Sequence, residues 1–186
     1  MKPDAMLVID VQNGLINAHP YRENELLQNI AQLISACRNA AIPVLYVRHD
    51  GGDDFLTRGT PDWGNPASIA PEKGELIFEK NVNSAFRGTD LHACLQGLKV
   101  RNLLICGMQT EYCVDTNIKV AFELGYHVIV PKGGTSTFDK DWCTARDLIA
   151  YYENDIWNPE LAEVLSMEDI LTRIGCDTQA AAIPGK

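Results

Sequence analysis

Short aliphatic runs alternate with stretches of helical periodicity along most of the chain. Residues 6-MLVIDV-11, 43-PVLYVR-48, 75-ELIFEK-80, 100-VRNLLIC-106 and 126-YHVIV-130 have the length and composition of buried strands, and a weaker strand is predicted near 161–165. Residues 22–41 place Leu26, Leu27, Ile30, Leu33, Ile34, Cys37 and Ala41 at helical spacing. Further helices are predicted at about 89–97, opened by the N-cap pair Thr89–Asp90, and at about 112–124, with Val114, Ile118, Ala121 and Phe122 on one face. Two more are predicted at 141–152 and 167–174, the first of them after a turn at 131-PKGGTST-137. Residues 49–73 carry seven Gly or Pro residues and no clear period, which reads as a long functional loop.

Strands that are aliphatic throughout and separated by helices form parallel sheets covered on both faces. Right-handed crossovers then give a doubly wound three-layer α/β fold. One domain over residues 1–176 accounts for the pattern, with a flexible tail at 177–186.

Composition then narrows the function classes. The apolar fraction of 46% and charged fraction of 22% are those of a soluble globular protein. A net charge of -9 argues against nucleic acid and against an anionic membrane surface as partners. No run approaches the roughly 20 apolar residues that span a bilayer. The N-terminal MKPDAMLVID is too short and too acidic for a secretory signal, so a cytoplasmic protein is expected. The six cysteines (37, 94, 106, 113, 143 and 176) form no C-x-x-C pair, and the four histidines (19, 49, 92 and 127) never pair at ligand spacing. Neither a disulfide framework nor a structural zinc site is expected.

Candidate chemistry emerges from the rule that doubly wound sheets gather their reactive groups at the carboxyl ends of the strands. The first strand ends in Asp10, the third in Lys80, and the fourth runs through Gly107 toward Cys113 at the start of a helix. An acid, a base and a thiol thus reach one rim from distant parts of the sequence. The helix dipole and Lys80 would favour a thiolate at Cys113, which is otherwise mostly protonated at neutral pH. Asp10 could accept the thiol proton and pass it to a leaving amine, while the backbone N–H groups around Gln109 and Cys113 could form an oxyanion hole. Cys37, Cys94 and Cys106 read as small buried hydrophobes. Gln12 and Asn13 are placed to orient Asp10, and Glu111 either serves the helix dipole or contacts a substrate amine. His127, at the start of a strand, reads as structural.

The chain resembles the isochorismatase-like cysteine hydrolases. The matching segments are 8-VIDVQNG-14, 80-KNVNSAFRGTDL-91 and 107-GMQTEYCVDT-116, in that order and at family-like separations, within a resemblance running from about residue 5 to 175. It implies a six-stranded parallel sheet in order 3-2-1-4-5-6, a catalytic triad of Asp10, Lys80 and Cys113, and a cis peptide between Met108 and Gln109. It also places the segments of Trp63, Phe86 and Tyr112 around the active site as pocket walls, with Gln12 beside them, and suggests a homo-oligomer, dimer or tetramer. The retained Cys113 points to the amidohydrolase branch, acting on a small amide, carbamoyl or ureide compound without a cofactor. Nicotinamidases in this family typically bind a metal through an aspartate and histidines of the long loop. Here His49 is the loop's only histidine, beside Asp50, Asp53 and Asp54, so no catalytic metal is expected and nicotinamide is not the expected main substrate.

Two rival readings remain. One is ether hydrolysis of an isochorismate-like acid, for which Arg48, Arg58 and Arg87 would supply carboxylate contacts. The other is a thiol sensor without catalytic activity, which would want a resolving cysteine near Cys113.

Overall fold

A computed structural model describes residues 1–53 and 55–175; Asp54, Cys176 and the expected tail at 177–186 lie outside the described residues. In chain order the elements are β1 (Ala5–Ile9), α1 (Asn13–Ile16), α2 (Glu23–Asn39), β2 (Val44–His49), β3 (Leu76–Lys80), α3 (Leu91–Gly97) and β4 (Asn102–Met108). They continue as α4 (Asp115–Glu123), β5 (His127–Pro131), β6 (Thr135–Ser136), α5 (Ala145–Tyr151), β7 (Glu163–Leu165) and α6 (Met167–Gly175). Wider π-helical turns precede α4, at Thr110–Val114, and follow α5, at Tyr152–Ile156.

The sheet is parallel throughout, in the order β3-β2-β1-β4-β5-β7, with β6 also paired to β4. The expected order is therefore present, its sixth strand being β7. The correction is a seventh strand, the two-residue β6, inside the segment expected to be only a turn. It forms because β4 runs four residues past the end of its pairing with β5 at Leu104, offering Gly107 and Met108 to Thr135 and Ser136.

All five residues of β1 are buried, and they divide between two cores. Ala5, Leu7 and Ile9 pack with α3 and α4 on one face, whereas Met6 and Val8 pack with α2 and α6 on the other. A one-residue slip would exchange the two sets, so packing on both faces pins the register that places Asp10. The register also aligns Ile9 with Val47 and Gly107, and His49 with Lys80, bringing the strand ends to one rim.

Several boundaries differ from expectation for local reasons. Helix α2 stops at Asn39 because Ala41 turns into the left-handed region (φ 54), and Ile42 N donates to Cys37 O at 2.8 Å and Ala41 N to Arg38 O at 3.1 Å. Asp90 occupies the N-cap of α3, yet the side chain that accepts from the helix is that of Thr89, from Leu91 N at 3.2 Å. Helix α5 starts at Ala145, where Thr144 Oγ1 accepts from Asp147 N at 3.2 Å. Among the described residues, no helix is long and apolar enough to cross a membrane.

Candidate active site

Asp10 is the first residue after β1, and its backbone leaves the strand through the left-handed region (φ 52). That conformation costs a side-chain-bearing residue on the order of 1 kcal/mol, less for Asp than for most. The turn is held by Asp10 N donating to Val47 O at 3.0 Å. On the other side β4 approaches so closely that a Cβ on Gly107 (φ 133) would lie 2.0 Å from Ile9 O. Only glycine lets the two backbones meet there.

The structure brings Asp10, Lys80 and Cys113 together. Lys80 Nζ donates to Asp10 Oδ2 at 2.6 Å and to Cys113 Sγ at 3.2 Å, and it lies 3.2 Å from His49 Nδ1. The ammonium is fully withdrawn from solvent and the Asp10 side chain is 2% exposed. The other carboxylate oxygen, Asp10 Oδ1, is buried without a partner.

Burial dominates the protonation of the group. It raises the Asp10 carboxyl above its ordinary value, although Lys80 pulls it back down. The Cys113 thiol is pushed up to about 12 by burial and by the adjacent Asp10 charge, against the lowering effect of Lys80. Lys80 does favour the thiolate as expected, but burial outweighs it and holds Cys113 as a thiol. His49 is pushed down by burial and by Lys80, so it stays neutral.

Cys113 sits in the π turn Thr110–Val114 rather than in the first turn of a regular helix. Asn117, fully buried, fastens this turn: its Nδ2 donates to Cys113 O at 2.7 Å and Asn83 O at 3.0 Å, and its Oδ1 accepts from Ala85 N at 2.7 Å. Asn83 Oδ1 lies 3.8 Å from Cys113 Sγ. The Met108–Gln109 peptide is cis, and Gln109 has an extended backbone at the entry to the turn. Within the turn, Tyr112 N and Val114 N both donate to Gln109 O, at 3.1 and 3.2 Å.

The expected pocket residues divide. Gln12 is not a wall: fully buried, it donates from Nε2 to His49 O and Trp63 O, each at 3.0 Å, and its Oε1 accepts from His49 N at 2.9 Å. It clamps the end of β2 to the long loop, and Asn13 Nδ2 helps by donating to Pro61 O at 2.8 Å. Trp63 lies in that loop with Arg48 over its ring at 4.6 Å. Phe86 turns away into packing with Tyr126 and His92, at ring distances of 6.3 and 6.5 Å. Tyr112 is half exposed beside Lys140, whose Nζ lies 5.1 Å from its ring. Of the three arginines, Arg48 also donates to Asn65 Oδ1 and Arg58 pairs with Glu79, whereas Arg87 lines a cleft shared with Asp50, Lys80 and Asn81.

His49, Asn83, Asn117 and the partner of Glu111 were not placed in the site by sequence reasoning. Glu111 Oε1 accepts from Lys140 Nζ at 2.6 Å and from Thr137 Oγ1 at 2.8 Å. Asp10, His49 and Cys113 hold donor atoms within 4.8 Å of one another, a spacing that could suit a metal. The Lys80 ammonium already stands among them, however, within 3.2 Å of each, so the trio does not fit a metal ion while Lys80 is charged. The cysteines at 37, 94, 106, 113 and 143 all carry free thiols.

A family model described as the isochorismatase domain matches residues 4–169. The chain is similar to nicotinamidase 3 of Arabidopsis thaliana, 31% identical over 157 residues that make up 74% of this chain and 75% of that protein. It is also similar to streptothricin hydrolase of Streptomyces noursei, 30% identical over 138 residues, covering 73% of this chain and only 50% of that protein. A crystal structure of an isochorismatase family protein superimposes with a TM-score of 0.82 at 32% identity, covering 87% of this chain and 97% of the other.

Proposed function

Because the chain belongs to the isochorismatase family of hydrolases, we propose that it is a cysteine hydrolase cleaving a C–N bond of a small amide, carbamoyl or ureide compound. The observation that carries this reading is the buried Lys80 ammonium, 2.6 Å from Asp10 Oδ2 and 3.2 Å from Cys113 Sγ. The names of the nicotinamidase and streptothricin hydrolase relatives support the choice of C–N chemistry.

In this reading Asp10 takes the thiol proton as the sulfur attacks the substrate carbonyl carbon. The carbonyl π electrons move to oxygen, and the oxyanion faces the amides of Gln109 and Cys113. Collapse breaks the C–N bond, Asp10 returns its proton to the departing nitrogen, and a thioester remains on Cys113. Water then attacks the thioester, with Asp10 accepting its proton, and the acid leaves as the thiol is restored. Lys80 keeps compensating charge beside the carboxylate and the sulfur throughout. A raised carboxyl suits this double role, since a base works best with a pKa nearer the working pH.

The reading needs no cofactor and no metal, and nicotinamide is not the main substrate; stoichiometric metal together with rapid nicotinamide turnover would overturn both statements. It takes residues 1–176 as one catalytic unit that works in the cytoplasm as a dimer or tetramer on a small molecule. The direct test is ammonia release from a panel of amides, ureides and carbamoyl compounds, with the Cys113→Ala protein as blank. The ether-hydrolase alternative has one observation in its favour, the Arg87 guanidinium, which lines the cleft beside Lys80 without an ion pair among the described residues. Blocking Cys113 with iodoacetamide separates the two: loss of activity supports C–N hydrolysis through the thiol, and retained activity supports ether hydrolysis.

A further inference from the structure

The turn that carries Cys113 also contributes Glu111 and Tyr112 to a groove of about 650 Å³, whose other walls include Lys140, Trp142, Tyr151 and Tyr152. Its aromatic surface is unusually open: Tyr112 is 48% exposed, Tyr151 51% and Trp142 78%. Trp142 is not on a loose loop. Its turn is closed by Lys140 N donating to Cys143 O at 2.8 Å and by Cys143 N donating to Lys140 O at 3.3 Å. Asp139 Oδ1 pins the next residues by accepting from Ala145 N at 2.7 Å. Holding a large apolar ring in water on a fixed turn has no benefit for folding, and a clustered exposed apolar patch marks a contact surface.

Glu111 supplies the second observation. Its side chain is only 8% exposed, and both of its partners, Lys140 and Thr137, bind the same oxygen, Oε1. Oε2 is buried with no donor. The fold leaves that oxygen without a donor, and Glu111 is one of the residues lining the groove, so a donor entering there could complete it. Lys140 already neutralises the carboxylate and lies against the Tyr112 ring, which disfavours a second full positive charge there.

We infer that this groove holds the body of the substrate, and that this body is a planar, uncharged group presenting an N–H to Glu111 Oε2, with its faces against the tyrosine and tryptophan rings. The inference rests on the hydrolase reading, because it takes the scissile carbonyl to be delivered to Cys113 from this groove. It narrows the substrate to a ring-bearing amide or ureide, in preference to a small linear amide or a cationic amine.

The test separates this from the catalytic reading by measuring binding without turnover. The Cys113→Ala protein is titrated calorimetrically with phenylurea, with its fully N-methylated analogue, which keeps ring and carbonyl but has no N–H, and with benzylammonium. Phenylurea is expected to bind, and the methylated analogue and benzylammonium at least about tenfold more weakly, the scale of one hydrogen bond to a charged group. Adding Glu111→Gln or Trp142→Ala should each weaken phenylurea by a similar factor, while Lys140→Met, which leaves Oε2 in place, should preserve the preference for N–H. Failure of phenylurea to bind, or equal affinity across the variants, overturns the inference and leaves the triad chemistry standing. So does a Trp142→Ala protein that dissociates on size exclusion with unchanged phenylurea affinity, which would make the groove a contact between copies. The expected affinities without ammonia release from any amide would instead support the groove and defeat the catalytic reading.

Discussion

Lys80 Nζ lies 2.6 Å from Asp10 Oδ2, with the ammonium wholly buried and the carboxylate nearly so. Neither charge is affordable alone at this depth: removing one partner of a buried pair costs about 3–5 kcal/mol because the other is left uncompensated. Lys80→Met should therefore destabilise the protein by roughly that amount, and Asp10→Asn added to it should recover part of the loss. The double variant should be more stable than the sum of the two predicts. A double-mutant cycle in urea measures this directly, and simple additivity would mean that the pair is not coupled as the geometry indicates.

Cys113→Ala should abolish ammonia release while leaving the thermal transition close to that of the parent. The sulfur contacts Lys80, more distantly Asn83, and interacts with the Asp10 carboxylate, and the turn around it is fastened by Asn117 rather than by the thiol. A folded Cys113→Ala protein with substantial turnover would remove the nucleophile from the mechanism.

Asn117→Ala should lower both stability and activity, although Asn117 is no part of the triad. Its amide holds the 83–85 segment against the Cys113 turn through three hydrogen bonds of 2.7 to 3.0 Å. Leaving buried backbone groups unpaired costs about 1–3 kcal/mol each. If kcat were unchanged in a protein shown to have lost this stability, the 83–85 segment would not be what positions the thiol.

The meeting of Asp10, Lys80 and Cys113 could be read from the sequence because each ends or follows an aliphatic strand, and a parallel sheet brings strand ends to one rim. Gly107→Ala should strike that convergence itself, since its Cβ would collide with Ile9 O and its φ of 133 disfavours any side chain. We expect this variant to be expressed insoluble or strongly destabilised, and a well-folded Gly107→Ala protein would show that the close approach of β4 to β1 can relax.

What the sequence concealed has a common cause in long-range side-chain pairing. Lys140 pairs with Glu111 from 29 positions away, and Gln12 spends its amide on His49 and Trp63 rather than on Asp10. Polar pairings of this kind leave no periodicity. The π turn at Thr110–Val114 was hidden for a similar reason, because a helix widened by one residue keeps the composition of an ordinary one. The upward shift of the Cys113 thiol leaves no trace in the sequence either, because helix position is visible there and depth of burial is not.

That depth gives the pH behaviour its direction. Burial raises the Asp10 carboxyl, and the Lys80 charge partly opposes the rise. In the proposed mechanism Asp10 acts as a base only when deprotonated, so kcat/KM should climb with pH through a limb lying above the ordinary carboxylate value of about 3.9. Its contribution to stability runs the other way. A carboxyl whose folded pKa exceeds its unfolded one contributes fully below the unfolded value, and that contribution is lost as pH rises through the folded pKa. Asp10→Asn should accordingly remove a falling component from the stability profile in the window where the parent gains activity. In Lys80→Met the charge that lowers the carboxyl is gone, so whatever activity remains should have its acid limb displaced to still higher pH. Cys113 should respond to Asp10→Asn in the opposite sense: the carboxylate that helps hold its thiol near 12 is lost, and thiolate absorbance should appear at lower pH than in the parent. An acid limb at the ordinary carboxylate position, or a Cys113 titration untouched by Asp10→Asn, would mean that the two groups do not share one buried field.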